Sequence, residues 1–248
     1  MARWRLADLR DCGALPWLGR YSLPGIWQAL RRLGVRPKRG RLSVHSPDPA
    51  YTEKCFAVQQ AVALARRYPE RVRVLYGDEF SLYRQPTLAP VLAPAGRTPK
   101  ARLSWRANTR SRFSGALDVV SGQVTTTSAA TMGVVGLCHF LERLRSAYPH
   151  HQLILIWDNW PVHRHPTVLA TAARLRIQIR WLPTYAPWTN PIEKLWRRLK
   201  QTVLHHHHLA DRWDDLKAAA QAFLDQFALG SFDLLHSVGL LPGAVPIT

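Results

Sequence analysis

Cysteine is scarce: Cys12, Cys55 and Cys138 are three in 248 residues, widely spaced, with no Cys-x-x-Cys pair. That argues against a disulfide framework or a zinc ribbon and points to a reducing, cytoplasmic setting. No run of 18 apolar residues occurs, so no membrane span and no membrane partner are expected. The opening stretch, MARWRLADLRDCGALPWLG, has no continuous apolar segment ahead of a cleavage site, so no secretory signal is expected. Internal repeats are absent. Acids are few, 16 Asp+Glu against 34 Lys+Arg, giving a net charge of +18. Hydrophobic residues make up 47%, which excludes a disordered polycation. What remains is a folded basic chain long enough to bury a real core. Its expected partner is a polyanion, nucleic acid ahead of an acidic membrane.

The chain reads as two parts, 1–49 and 50–245. The first carries ten Arg/Lys against three Asp. Within it, 22–34 predicts one helix, with Ser22 as N-cap, Pro24 in the first turn and Gly34 as the stop. Ile26, Leu30 and Leu33 would share its apolar face. A basic, aperiodic segment follows, with Arg36, Lys38, Arg39 and Arg41. The second part opens with helical periodicity over 50–69. Alternation over 71–76 predicts a strand ending at Gly77-Asp78-Glu79. Residues 97–112 hold six cations and no acid, which marks an exposed basic loop. Strand-like segments 113–120 and 123–128 flank a Ser121-Gly122 turn. A helix is expected over 133–147. The apolar run 153–157 reads as a buried central strand, ending in Asp158-Asn159. A helix over 165–175, a strand over 177–182 and a Pro-rich loop over 183–191 come next. Asn190 would then cap a helix beginning at Pro191 and running to about His205. A last helix spans 211–229. The order is that of a mixed α/β fold.

Three of the scarce acids fall at element boundaries: Asp78 after a strand, Asp158 after a buried strand, Glu193 in a helix's first turn. Carboxylates at the ends of adjacent strands point into one crevice. Brought together they repel unless a hard cation sits between them, and on a chain of +18 that suggests phosphodiester chemistry. Taken singly, each acid is as well read as an N-cap or a surface charge.

These residues sit in segments that resemble the mariner superfamily of DDE transposases, in its bacterial insertion-sequence branch. The carrying segments are Leu75–Glu79, then Ile156–Asn159 with His163, then Leu182–Trp196, which reads LPTYAPWTNPIEKLW. Thirty-four residues separate Asp158 from Glu193, the interval that this superfamily uses. Trp160 stands where the family usually has a small residue. The resemblance implies a ribonuclease H-like mixed sheet flanked by helices. It assigns catalysis and metal ligation to Asp78, Asp158 and Glu193, holding two Mg²⁺ or Mn²⁺ ions. It further implies cut-and-paste movement of an element with inverted-repeat ends, double-stranded DNA as ends and target, a homodimer on DNA, and a bacterial, nucleoid-associated location. Family members carry a complete helix-turn-helix region before this domain. Here only its last helix and the basic linker are expected, as in the second frame of a split element whose first frame is encoded separately. Two other readings are a catalytically silent DNA-binding or regulatory fragment and a ribonuclease H-type nuclease.

The nucleic-acid contacts expected are Arg97, Lys100, Arg102, Arg106, Arg110 and Arg112 from the loop, with Arg36, Lys38, Arg39 and Arg41 from the linker. Asn159, His163 and Asn190 are auxiliary candidates. Asn159 would hydrogen-bond the phosphate, orient Asp158 or close a loop turn, and His163 would orient substrate, donate a proton or cap locally. Glu79 is expected to point away from Asp78 by strand alternation. Asp118 is expected to be structural. His205–His208 reads as a polar helix terminus rather than a zinc tract, since consecutive helical residues do not share a face. Trp157, Trp181 and Trp196 are expected to pack, and among the tryptophans Trp105 is the best candidate for stacking on an unpaired base.

Overall fold

The structure, a computed structural model, describes residues 5–36 and 45–241. Lys38, Arg39 and Arg41 lie outside them. The chain divides into two compact units, Met1–Val44 and His45–Thr248.

In the first unit, α1 (Leu6–Arg10) and a 3-10 turn (Pro16–Arg20) precede α2 (Leu23–Arg32). Ser22 caps α2 as expected, its Oγ accepting from Gly25 N–H at 3.3 Å. Ile26 is buried, but Leu33 lies one residue past the helix and is exposed. Gly34 takes the left-handed conformation that ends the turn, at φ 76°.

The second unit is a five-stranded mixed sheet, in the order β3-β2-β1-β4-β5. Its strands are β1 (Val72–Tyr83), β2 (Arg110–Asp118), β3 (Val124–Ala129), β4 (Gln152–Trp157) and β5 (Ile177–Trp181). β1, β2 and β3 form an antiparallel meander, while β4 and β5 run parallel to β1. Around the sheet lie α3 (Tyr51–Arg67), α4 (Val134–Ala147), α5 (Pro166–Arg174), α6 (Ile192–Leu199), α7 (Trp213–Asp225) and α8 (Phe232–Val238). The period of two sorts β1 between two cores. Val72, Val74, Tyr76, Phe80 and Leu82 meet residues of α3, α6, α7 and α8. Leu75, on the other face, joins Leu153, Leu155, Trp157 and residues of α4 and α5. β4 contributes to both cores, Ile154 and Ile156 to one and Leu153, Leu155 and Trp157 to the other, which is why its sequence is continuously apolar.

Several expectations are corrected. β1 does not stop before Asp78. Its antiparallel ladder with β2 carries it to Tyr83, while its parallel pairing with β4 ends at Tyr76↔Ile156. Asp78 therefore sits in mid-strand, where one neighbour has left the sheet. Arg110 and Arg112 belong to β2, because the ladder reaches Tyr83↔Arg110, so the irregular basic segment is shorter than 97–112. The last helix ends at Asp225, and α8 follows it after Gly230, at φ 95°. No helix among the described residues is long and apolar enough to cross a membrane.

Candidate active site

Where β4 leaves β1, a cavity of about 490 Å³ opens over the sheet's C-terminal edge. Asp78, Asp158 and Glu193 all line it, with Trp160 and the loop Leu182–Pro187. The sheet, the end of β4 and the start of α6 thus bring to one place three acids separated by up to 115 positions. Among the described residues no three Asp, Glu, His or Cys side chains are arranged so as to hold a metal ion. Two of the acids are tied to their own walls instead.

Asp78 Oδ2 accepts from the Trp196 indole Nε1–H at 2.9 Å. Trp196 is buried, stacks on Phe80 with ring centroids 5.4 Å apart, and lies against Gly115, where a Cβ would come within 2.6 Å of the indole. A side chain expected only to pack is thus also a donor to the acid cluster. The signal was present in the sequence: Glu193 and Trp196 are three apart, hence on one helical face. Asp158 Oδ1 accepts from Trp160 N–H at 3.0 Å and stands 2.8 Å from His163 Nδ1. Half of the Asp158 side chain stays exposed. Glu193 enters on the first turn of α6, where a negative charge is favoured.

Burial and crowding set the charges. Burial first, then the negative charges of Glu193, Glu79 and Asp158, push Asp78 up to about 8. Burial raises Glu193 as well, partly offset by Lys200 and Arg197. For Asp158, burial is outweighed by His163 and the Trp160 N–H, and its carboxyl is held below the usual range. His163 is fully buried, which alone would lower it, yet its carboxylate partners raise it to about 9.

The pH dependence has a definite sign. Asp78 rises from 3.8 unfolded to about 8 folded, so the native chain binds the extra proton and loses this stabilisation as pH climbs through that window. His163, raised from 6.5 to about 9, stabilises fully below 6.5 and loses that contribution as pH rises through 9. Thermal unfolding in a chelating buffer should therefore show these contributions declining from mildly acid pH, where Asp78 dominates, to about pH 9, where the His163 contribution ends. Asp78→Asn should flatten the decline, and an unchanged slope would contradict the placement of Asp78.

The auxiliary residues find structural partners. Asn159 Nδ2 donates to Leu182 O at 2.6 Å, and its Oδ1 accepts from Arg164 at 2.6 Å, pinning β4 to the Pro-rich loop. Asn190 is not the cap expected of it. Its side chain is buried and donates to Gly77 O at 3.1 Å, and α6 starts after Pro191 without a side-chain cap. Asp48 fixes the same loop, accepting from Thr184 N–H at 2.8 Å while paired to Lys54 at 2.6 Å. Nothing in the sequence marked Asp48, because its partner lies 136 positions away. Asp118 is fully buried beside Arg73 at 3.2 Å, away from the cavity lining. Glu79, on the far side of β1 from Asp78, stands 3.0 Å from His163 Nε2.

Arg97, Lys100, Arg102, Arg106 and Arg110 are exposed, and Trp105 is exposed with Arg106 over its ring at 5.6 Å. Arg112 lies 5.6 Å over Trp160, on the cavity wall. Arg36 is exposed in the first unit. Trp157 is buried as expected, while Trp181, on the edge strand, is only half-buried beneath Arg164 at 4.5 Å. The histidine run is not a helix terminus. α6 relaxes into a π-turn that ends at Leu204, and His205 is extended, in a parallel bridge with Thr87. His205 Nδ1 is 2.8 Å from Thr87 Oγ1, and His206 N–H donates to Thr87 O, so the run clamps the base of the basic segment.

The family profile described as DDE superfamily endonuclease matches residues 73–217. An insertion element IS630 uncharacterized 39 kDa protein of Shigella sonnei is 25% identical over 187 residues, covering 74% of this chain and 53% of its own length. The chain thus spans about half the length of that curated relative. Among solved structures, the Mos1 transposase paired-end complex with left transposon end superposes with a TM-score of 0.63 at 18% identity, over 95% of this chain and 74% of that one. The Mos1 strand transfer complex gives 0.62 at 19%, over 96% and 75%. These likenesses establish the ribonuclease H-like fold of the sheet.

Proposed function

The chain belongs to the DDE superfamily endonucleases, and we propose that it cleaves and joins DNA at the ends of an insertion element, by cut and paste. The observation that carries this is the single cavity lined by Asp78, Asp158 and Glu193, with Asp78 pushed up to about 8 by burial and by its neighbours' charges. Such a donor set fits a hard divalent cation: it is all carboxylate, and a cation between the acids relieves the repulsion. Relatives' structures described as containing Mn and Mg point the same way. Asp78, Asp158 and Glu193 would hold Mg²⁺ or Mn²⁺, two ions in this reading. When bound, the metal supplies Lewis-acid activation of the attacking oxygen and charge stabilisation at the leaving one.

The chain's own residues position these acids. Trp196 and His163 each grip one carboxylate, and α6 presents the third. The Asp48-anchored loop walls the cavity with prolines. Arg112 on Trp160 and the exposed cations of the irregular segment offer phosphate contacts beside it. The partners proposed are double-stranded DNA, as inverted-repeat ends and target, a second copy of the chain on that DNA, and a separately encoded helix-turn-helix part. A single assay tests the reaction. In Mg²⁺, the chain should nick and join terminal-repeat duplex and leave an RNA–DNA hybrid intact. Hybrid cleavage without strand transfer would make it a ribonuclease H-type nuclease.

A further inference from the structure

His163 is the least exposed titratable group beside the cavity, and its two nitrogens face two different acids. Nδ1 is 2.8 Å from Asp158 Oδ1 and hydrogen-bonds Asp158 O at 3.3 Å, and Nε2 is in charge contact with Glu79 Oε2 at 3.0 Å. The ring cannot turn away. It lies flat on Trp157 at 3.7 Å, with an interplanar angle of 21°, and Trp160 stands edge-on at 5.2 Å. Glu79 is fixed in turn, almost wholly buried on a ladder residue of β1 opposite Ser114, whose Oγ approaches its Oε1 at 3.4 Å. Glu79 does not line the cavity that Asp78 and Asp158 share.

We propose that Glu79 is a positioning residue for Asp158, acting through the buried His163. The Glu79–His163 pair holds Asp158 Oδ1 against the wall, together with the Trp160 N–H, and so fixes the remaining oxygen toward the cavity. Adjacent residues of one strand thereby serve the site from opposite faces: Asp78 directly, and Glu79 through an imidazole that reaches around the end of β4. A carboxylate backing a histidine that orients a ligating group is a supporting shell whose loss typically costs about 10–100-fold in metal affinity. This inference rests on the metal-binding reading of Asp158 given above.

The test is a double-mutant cycle read by Mn²⁺ binding, followed by electron paramagnetic resonance of the free ion, with unfolding temperature and metal-free DNA binding measured alongside. Glu79→Ala should weaken Mn²⁺ binding about 10–100-fold and leave DNA binding unchanged. Glu79→Gln, which keeps an acceptor for Nε2–H, should recover much of that loss. His163→Asn, whose amide stands near the Nδ1 position, should weaken Mn²⁺ binding by itself. Adding Glu79→Ala to His163→Asn should then cost nothing further, because the route from Glu79 to Asp158 through the imidazole is gone. Additive losses would make Glu79 a ligand in its own right and overturn the proposal. So would Mn²⁺ affinity within about twofold of wild type in both folded Glu79 variants. Should Glu79→Ala unfold, Glu79→Met, which keeps the bulk without an acceptor for Nε2–H, takes its place in the cycle. Asp158→Asn separates the two levels. If it loses Mn²⁺ while the Glu79 variants do not, this inference alone fails. If wild type and Asp158→Asn bind Mn²⁺ alike, or neither binds it, the metal reading fails with it.

Discussion

Asp158→Asn should abolish strand cleavage, a loss of roughly 10³-fold or more, while DNA binding stays intact or tightens. The size follows from losing several kcal/mol of metal-centred stabilisation, at about 1.4 kcal/mol per factor of ten. The fold should survive. Asparagine keeps an oxygen where Asp158 Oδ1 accepts from Trp160 N–H and faces His163, and β4 ends one residue earlier. What disappears is the negative charge that a hard cation requires. Removing it also lessens repulsion of phosphate, so affinity for DNA has no reason to fall. His163, deprived of one carboxylate, should titrate lower than in wild type. Glu193→Gln should behave alike, with the added loss of an acid from the first turn of α6. The measurement pairs Mg²⁺-dependent nicking of terminal-repeat DNA with binding to the same DNA. Cleavage at the wild-type rate by Asp158→Asn would place the chemistry elsewhere.

DNA affinity should fall about 10³–10⁵-fold between roughly 50 and 200 mM salt, the loss expected when ~6–10 phosphates are neutralised. The motive is the +18 charge and its placement. Arg97, Lys100, Arg102 and Arg106 stand exposed on a segment without regular structure, held at its base by His205, His206 and Thr87. Arg112 continues the basic line to the cavity wall. Neutralising Arg102 and Arg106 together should reduce the slope by about two phosphates, equally on all sequences. A flat salt response, or a loss confined to one sequence, would contradict backbone recognition by this segment.

What could be read from the sequence was whatever local pattern decides. The run 153–157 is apolar at every position because β4 is covered on both faces, so its strand character and the exit at Asp158 were visible. The helices 51–67 and 134–147 were equally plain from their periodicity. The course of β1 beyond Asp78 was not, because it depends on β2 pairing 27 to 35 positions away and not on alternation alone. Asn190 reads as a cap since Asn-Pro before a helix normally is one. Its side chain instead found Gly77 O, a contact no local rule contains. Trp196 and Glu79 were each read for a single role. A buried indole has a donor to satisfy and a buried carboxylate a charge to balance, and both needs were met across the sheet.

Asp78 sits mid-way along a strand whose partners come from both later parts of the chain, and this carries a consequence for synthesis. β1 pairs with β2 27 to 43 positions on, and with β4 80 positions on. The third acid arrives only with α6, which also brings the indole for Asp78. Loop closure over such separations is slow, and domains complete as units during translation. A nascent chain therefore carries Asp78 on an unfinished sheet 115 positions ahead of Glu193, and Asp158 only 35 positions ahead of it. Until then the cavity lacks both its third acid and the indole that holds Asp78, so the site is completed only after the last strand of the sheet.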